Sequence, residues 1–152
     1  MAENESAGKN TIPKKAQVVI IGGGVIGCST AYHLAKLGWK DVIILEQNQL
    51  TAGTTWHAAG LVEAAGFFSA TKVGMAKYTL ELYAQLEKET GQATGFNPVG
   101  MIEIACTQSR LEEFRRVSAF ARYFDLNIEE ISPAEVQKLW PMMDCSDVLA
   151  GF

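Results

Sequence analysis

Three glycines near the start of the chain have the spacing of a turn that binds a dinucleotide. Gly22, Gly24 and Gly27 form the pattern GxGxxG, directly after the apolar run 18–21 and directly before a segment with helical character. In such a turn the first glycine permits tight bending, the second lets the backbone approach a pyrophosphate, and the third lets helix and strand pack closely. The helix N-terminus offers N–H groups and a positive dipole end to the phosphates. We therefore predict a pyrophosphate site here, with Val25 and Ile26 inside it.

An acidic residue completes this pattern. Glu46 ends a second apolar run, 42–45, and lies 22 residues after Gly24. At that position a carboxylate accepts hydrogen bonds from ribose hydroxyls and repels a 2′-phosphate, which disfavours NADP. We place Gln47 in the same site. The pattern alone does not separate FAD from NAD, but a nicotinamide domain would continue with further strand–helix repeats. No second set of buried parallel strands follows, which favours FAD.

The elements that must position these residues are a strand, a helix and a strand within about 30 residues, the size of one βαβ unit. We predict an α/β fold: a Rossmann-like FAD-binding βαβ unit followed by the incomplete start of an α+β substrate domain. The predicted divisions are a solvated tail over 1–15, the dinucleotide-binding segment over 16–66 and the substrate domain over 67–152. Beyond residue 66 the pattern predicts a helix over 71–90, strands over 99–105 and 128–131, helices that begin with capping boxes at Ser109 and Ser132, and a strand from 148.

Composition excludes several classes of protein. The 152 residues carry 13 basic and 17 acidic side chains, a net charge of −4, which argues against nucleic-acid binding. The three cysteines are far apart and form no CxxC, so we expect no metal site. Glycines interrupt the most apolar stretch, 18–35, so we expect no membrane span. The N-terminal segment contains glutamates and no arginine, which favours the cytoplasm over a mitochondrial address.

A loop rich in small residues follows Glu46. Residues 51–60 read TAGTTWHAAG, and a single histidine in such a loop is most often only exposed or hydrogen-bonded. Together with the glycine motif and Leu45-Glu46, however, this loop resembles the N-terminal part of sarcosine and dimethylglycine dehydrogenases. These are flavoproteins of the glycine oxidase and D-amino acid oxidase superfamily. The segments 83–91 and 132–135 are similar as well, so the resemblance extends over most of the chain from Ala16.

The resemblance implies a cofactor link and a chemistry. In that family the histidine of the Trp-His pair carries FAD covalently through the flavin 8α-methyl group, and the matching residue is His57. Thr54 and Thr55 are expected to hydrogen-bond flavin or phosphate. The family removes a hydride from an N-methyl carbon of a small amine and passes electrons to an electron-transfer flavoprotein or to oxygen. Tetrahydrofolate binds through regions absent from this chain, and the residues present do not identify a catalytic base.

Two rival functions remain open. The regulatory subunit of pyruvate dehydrogenase phosphatase is similar in sequence and is not a catalyst, but it lacks the Trp-His pair, so His57 favours the enzyme. An NAD-dependent dehydrogenase domain is the second rival. Family members run to several hundred residues, and the eukaryotic ones work in the mitochondrial matrix, which is the alternative location. We therefore expect the 152-residue chain to be an N-terminal portion, marginally folded and inactive by itself.

Overall fold

A parallel strand pair and its connecting helix form the first part of the fold. The computed structural model describes residues 13–152. Strand β1 (Val18–Ile21), helix α1 (Val25–Lys36) and strand β2 (Val42–Leu45) follow in order. The strands pair in parallel, from Val18 opposite Val42 to Ile21 opposite Leu45, and the Gly22 N–H continues the ladder to the Leu45 carbonyl at 2.8 Å. The predicted Rossmann-like βαβ unit is confirmed, because the apolar, β-branched runs do form parallel strands.

Helix α1 begins earlier than its sequence pattern predicts. The prediction started the helix at Cys28, whereas α1 starts at Val25, inside the glycine motif. Gly22 has a φ of +101°, which turns the chain sharply from β1 toward the helix. A Cβ on Gly27 would lie deep inside contact distance of the Gly22 carbonyl oxygen and 3.3 Å from Cγ2 of Ile20. The absence of that atom is what allows the first turn of α1 to rest on the end of β1.

The second part of the fold is a helix followed by a small α+β arrangement. Its elements are α2 (Ala70–Thr90), β3 (Ile104–Ala105), α3 (Gln108–Arg122), α4 (Pro133–Leu139) and β4 (Ala150–Gly151). Strands β3 and β4 pair antiparallel, and Ile131 makes a single bridge to Gly151. Ala105 and Ala150 are buried with Leu111 beneath Phe114 and Phe152. The helix predicted over 71–90 is confirmed, with Gly91 as a left-handed cap at φ +71°.

The chain divides into two units, Met1–Leu61 and Val62–Phe152. The first twelve residues of the predicted tail over 1–15 lie outside the described residues. The domain boundary predicted after residue 66 stays a prediction. No helix in the described range, 13–152, is both long enough and apolar enough to cross a membrane.

Two predicted strands are much shorter in the structure. Of the strand predicted over 99–105, only Ile104 and Ala105 form strand β3, although Glu103 and Phe152 also exchange a pair of backbone hydrogen bonds at 2.9 Å. Gly100 has a φ of +83°, which an extended strand does not allow. The strand predicted over 128–131 is reduced to the bridge at Ile131. Both errors concern pairing with a distant segment, which local sequence does not specify.

The helix starts in this unit were predicted with mixed success. Ser132 and Glu135 form the predicted capping box: the Glu135 N–H donates to Oγ of Ser132, and the Ser132 N–H donates to the Glu135 carboxylate. The box predicted at Ser109 is wrong, because the N-cap of α3 is Thr107, whose Oγ1 accepts from the Arg110 N–H at 3.3 Å. The start of α3 therefore moves two residues toward the N-terminus.

Replacing Gly27 by alanine is expected to destabilise the first unit by at least about 1–3 kcal/mol, the usual range for overpacking a tight contact. The new methyl group would meet backbone rather than a movable side chain. The matched control is Gly74→Ala in α2, where nothing lies within 4 Å of the added atom. That change should raise stability by about 0.5–1 kcal/mol through helix propensity. Thermal unfolding followed by circular dichroism would measure both, and equal effects would contradict the prediction.

The start of α3 gives a second prediction. Thr107→Ala should cost about 1 kcal/mol of unfolding free energy, the usual loss for a removed N-cap side chain. Ser109→Ala, a change of the same kind inside the first turn, should cost less than about 0.5 kcal/mol. Urea unfolding of the two variants measures the difference. A larger loss of unfolding free energy in Ser109→Ala than in Thr107→Ala would support Ser109 as the N-cap instead.

Candidate functional site

The glycine turn presents a helix N-terminus that carries no acidic side chain. Gly24 is the N-cap of α1, with extended backbone and no side chain to cap the helix, and the first turn contains no acidic residue. The first N–H groups of a helix have no partner within the helix, and they carry a partial positive charge. A Cβ on Gly24 would stand 3.0 Å from Oγ1 of Thr55 and would narrow the space above the turn. The turn therefore fits an anionic group such as a diphosphate.

Glu46 braces this turn from the end of β2. One carboxylate oxygen accepts from the Gly23 N–H at 2.7 Å, and the other accepts from the Asn48 N–H at 2.9 Å. These backbone donors, Gly23 first, hold the pKa of Glu46 below its ordinary value because they favour the ionised form. A carboxylate has about four acceptor positions, so lone pairs remain for hydroxyl donors. This arrangement suits a neutral ribose and opposes a phosphate. Gln47 follows with an exposed side chain.

The loop after Glu46 folds back onto the glycine turn. The Thr51 N–H donates to the Gly23 carbonyl at 2.9 Å, and the Val25 N–H donates to Oγ1 of Thr55 at 2.9 Å. Thr51 has a φ of +66°, an uncommon conformation for a β-branched residue. Within the loop, the Trp56 N–H donates to the Thr51 carbonyl and the His57 N–H to the Thr54 carbonyl, both at 3.1 Å. The loop is thus a set of consecutive turns attached to the start of α1.

His57 lies at the end of these turns with one ring nitrogen engaged. Nδ1 is 2.9 Å from the Gly53 carbonyl oxygen, and a carbonyl can only accept, so Nδ1 carries the proton in this contact. In the neutral ring Nε2 then carries the lone pair. The side chain is exposed, and so is that of Trp56, at 79%. An exposed imidazole with a fixed tautomer offers Nε2 as a nucleophile or acceptor.

The structure places all the predicted site residues in the unit that ends at Leu61. Direct hydrogen bonds join the glycine turn to Glu46 and to Thr55, whereas Ile26 is exposed at 81% and the side chain of Thr54 is also exposed. The parts of a bound cofactor that these residues contact stay predictions. Across residues 13–152, no group of three or more histidine, cysteine or acidic side chains is arranged to hold a metal ion.

Sequence reasoning missed the residue at the centre of this network. Gly23 is buried, its N–H binds Glu46, and its carbonyl accepts from the Thr51 N–H and from the Cys28 thiol at 3.4 Å. A Cβ there would clash with Leu50 and lie 3.2 Å from the Cβ of Glu46. The available signal was the run of three consecutive glycines, since GxGxxG requires only the outer two of them.

Replacing Glu46 by glutamine should lower stability near neutral pH, with a difference that fades in acid. The pKa of Glu46 is lowered in the folded state, so its carboxylate contributes stability above the unfolded-state pKa and loses that contribution as pH falls through the folded-state pKa. Unfolding midpoints of both proteins between about pH 7 and about pH 3 measure this, with the range set by the ordinary glutamate pKa. Glu81→Gln, at an exposed site on α2, is the control. A difference in unfolding midpoint between the parent and Glu46→Gln that stays constant with pH would contradict the prediction.

Comparison with known protein families identifies the fold. Residues 17–152 match the DAO family model, described as FAD dependent oxidoreductase. The solved structure of L-proline dehydrogenase from P. horikoshii superimposes with a TM-score of 0.84 at 26% identity, over 92% of this chain and 36% of that one. The glycine turn and Glu46 therefore belong to a known FAD-binding fold.

Curated relatives are more similar in sequence. Human dimethylglycine dehydrogenase is 43% identical over 90% of this chain, and human sarcosine dehydrogenase is 40% identical over 90%. The regulatory subunit of pyruvate dehydrogenase phosphatase from Mus musculus is 43% identical over 92%. The chain spans only about 16% of the length of these relatives. The resemblance predicted from the glycine motif and the 51–60 loop is confirmed, and the chain belongs to the family of FAD-dependent oxidoreductases.

Proposed function

We propose that this chain is the N-terminal FAD-binding portion of an oxidoreductase that demethylates small N-methyl amines, of the sarcosine or dimethylglycine type. The observation that carries the proposal is the position of His57. Its loop is hydrogen-bonded to the glycine turn, and its Nδ1 is engaged by Gly53 while Nε2 is left with a lone pair. The similarity to the two human dehydrogenases supports the same assignment.

Each part of the site would hold one part of FAD. The glycine turn with Val25 and Ile26 would receive the diphosphate, and Glu46 with Gln47 would receive the adenosine ribose. Thr54 and Thr55 would lie against phosphate or flavin, and His57 would carry the flavin covalently. Since Nδ1 donates to Gly53, Nε2 is the nitrogen available for that bond. FAD, when bound, supplies the acceptor for a hydride from the N-methyl carbon.

The remaining parts of the reaction lie outside what these residues define. The substrate would be a small N-methyl amine, and the electron acceptor an electron-transfer flavoprotein or oxygen. Tetrahydrofolate would act only through regions that this chain does not contain. We assign no catalytic base. We propose the cytoplasm as the location, with the mitochondrial matrix as the alternative in view of the relatives named as mitochondrial.

A non-catalytic regulatory role is the second candidate. The specific observation in its favour is the 43% identity to the mouse phosphatase regulatory subunit, equal to that of human dimethylglycine dehydrogenase. A regulator of this kind would have no need for a reactive imidazole beside the glycine turn. The third possibility, an NAD-dependent domain, is disfavoured by the match to an FAD-dependent family.

The decisive measurement is the intact mass of the purified, denatured chain together with its visible spectrum. We expect a mass gain equal to one FAD and a yellow protein. His57→Ala should abolish the gain. His33→Ala is the matched control, because His33 is the other histidine of the chain and lies in α1, where its Nδ1 contacts the Ser29 carbonyl and hydroxyl. A gain that survives His57→Ala would refute covalent attachment at this residue.

If the isolated chain carries no flavin, a chimera distinguishes two reasons: its flavin pocket needs the rest of the protein, or its fold does not bind flavin. Residues 17–152 would replace the aligned segment of human dimethylglycine dehydrogenase, so that the rest of that enzyme supplies the remaining pocket. Covalent flavin and oxidation of dimethylglycine by the chimera, both lost in His57→Ala, are the expected results. A well-folded chimera without flavin would reject the enzymatic proposal and favour the regulatory one.

A further inference from the structure

The first turn of α1 obtains its cap from a distant residue. Gly24, the N-cap, has no side chain, and the helix contains no acidic residue in its first turn. An oxygen acceptor comes instead from Thr55, 30 residues further along the chain, whose Oγ1 accepts from the N–H of Val25, the first residue of the helix, at 2.9 Å. Thr55 thus satisfies one of the orphan donors at the end of the helix that faces the candidate diphosphate site.

A second hydrogen bond, running in the opposite direction, joins the same two segments. The Thr51 N–H donates to the Gly23 carbonyl at 2.9 Å, while Val25 on the other side of the turn donates to Thr55. A Cβ on Gly24 would approach Oγ1 of Thr55 to 3.0 Å, so the glycine at that position leaves the hydroxyl its place. The glycine turn and the loop are therefore held at two points, four residues apart on the loop.

The loop segment between these points also fixes His57. Its turns are closed by bonds from the Trp56 N–H to the Thr51 carbonyl and from the His57 N–H to the Thr54 carbonyl. The ring is held by the Gly53 carbonyl. Any displacement of Thr55 from the helix end is therefore a displacement of the turns that carry the imidazole. The glycine turn and the histidine loop share one set of hydrogen bonds.

We propose that Thr55 is a positioning residue, whose hydroxyl caps α1 from a distance and couples the glycine turn to the loop that carries His57. The two segments then order together, so that a cofactor held at the helix end meets an imidazole already in place. The coupling is a property of the chain itself. Its consequence for flavin attachment rests on the proposed function.

Amide hydrogen exchange of the purified chain, resolved by residue, tests the coupling without any cofactor. Thr55→Val keeps the shape but removes the oxygen, and should speed exchange at Val25 about fivefold to tenfold, in line with a lost cap. Exchange at Thr51 and His57 should rise with it. Thr55→Ser keeps the oxygen and should stay within about twofold of the parent. Thr30→Val on the exposed face of α1, which removes only a bond to the Ile26 carbonyl, is the control.

Several results would overturn the proposal. Val25 that is unprotected in the parent chain would show that the cap does not form, and unchanged Val25 exchange in Thr55→Val would show that it does not depend on the hydroxyl. Faster exchange at Val25 with unchanged exchange at Thr51 and His57 would show that Thr55 caps the helix but does not couple it to the loop. A general rise that includes α2 would indicate only a loss of fold, and would also count against a specific role.

The flavin-dependent consequence has its own measurement. The rate of FAD attachment, followed by intact mass, should fall at least about fivefold in Thr55→Val and persist in Thr55→Ser and Thr30→Val. An equal rate in Thr55→Val overturns the functional half of the proposal. If the parent chain acquires no FAD, the same rates are measured in the chimera. A well-folded parent chimera without FAD counts against the proposed function, and the exchange experiment still decides the role of Thr55.

Discussion

The close approach of the first turn of α1 to the end of β1 is the contact on which the rest of the site depends. It exists because Gly27 has no side chain; a Cβ at this position would overlap the Gly22 carbonyl oxygen. With a larger residue the helix would have to move outward, and its N-terminal N–H groups would leave the end of the sheet. The contact of Thr55 with the helix end therefore depends on this packing distance, because Oγ1 of Thr55 accepts from the Val25 N–H in the same first turn.

Around this contact the protein arranges opposite charge on two sides. The helix end is positive and carries no acidic side chain, while the Glu46 carboxylate lies on the other side of Gly23 and stays ionised. A dinucleotide is complementary to this arrangement, because its diphosphate is anionic and its ribose hydroxyls are neutral donors that a carboxylate accepts. The Gly23 peptide connects the two sides, since its N–H binds Glu46 and its carbonyl binds the Thr51 N–H. The contacts around Gly23 therefore use backbone groups, which side-chain substitution at this position does not remove.

Local patterns in the sequence predicted the elements that local forces determine. Apolar runs identified β1 and β2, and the cap at Ser132 was found because serine and glutamate stand three residues apart, as a capping box requires, with proline at a tolerated first position. The start of α3 was misplaced because Thr107 and Ser109 are both acceptable cap residues, and the local pattern does not distinguish them. The strand before residue 105 was too long because its length depends on a partner more than 40 residues away. The bond between Val25 and Thr55 was beyond prediction for the same reason.

Sequence identity cannot decide between the candidate functions, and the chemistry of the site must. The dehydrogenase and the phosphatase regulatory subunit are equally similar to this chain, at 43%. An identity of that size indicates a shared fold but not a shared activity. The enzyme and the regulator differ in whether they need a reactive side chain. The imidazole of His57 is exposed, is held in one tautomer by the Gly53 carbonyl and is attached through its loop to the helix end, so that Nε2 is left for a ligand. The ordered position of His57 is therefore the strongest physical argument for a flavin-bearing enzyme over a regulator.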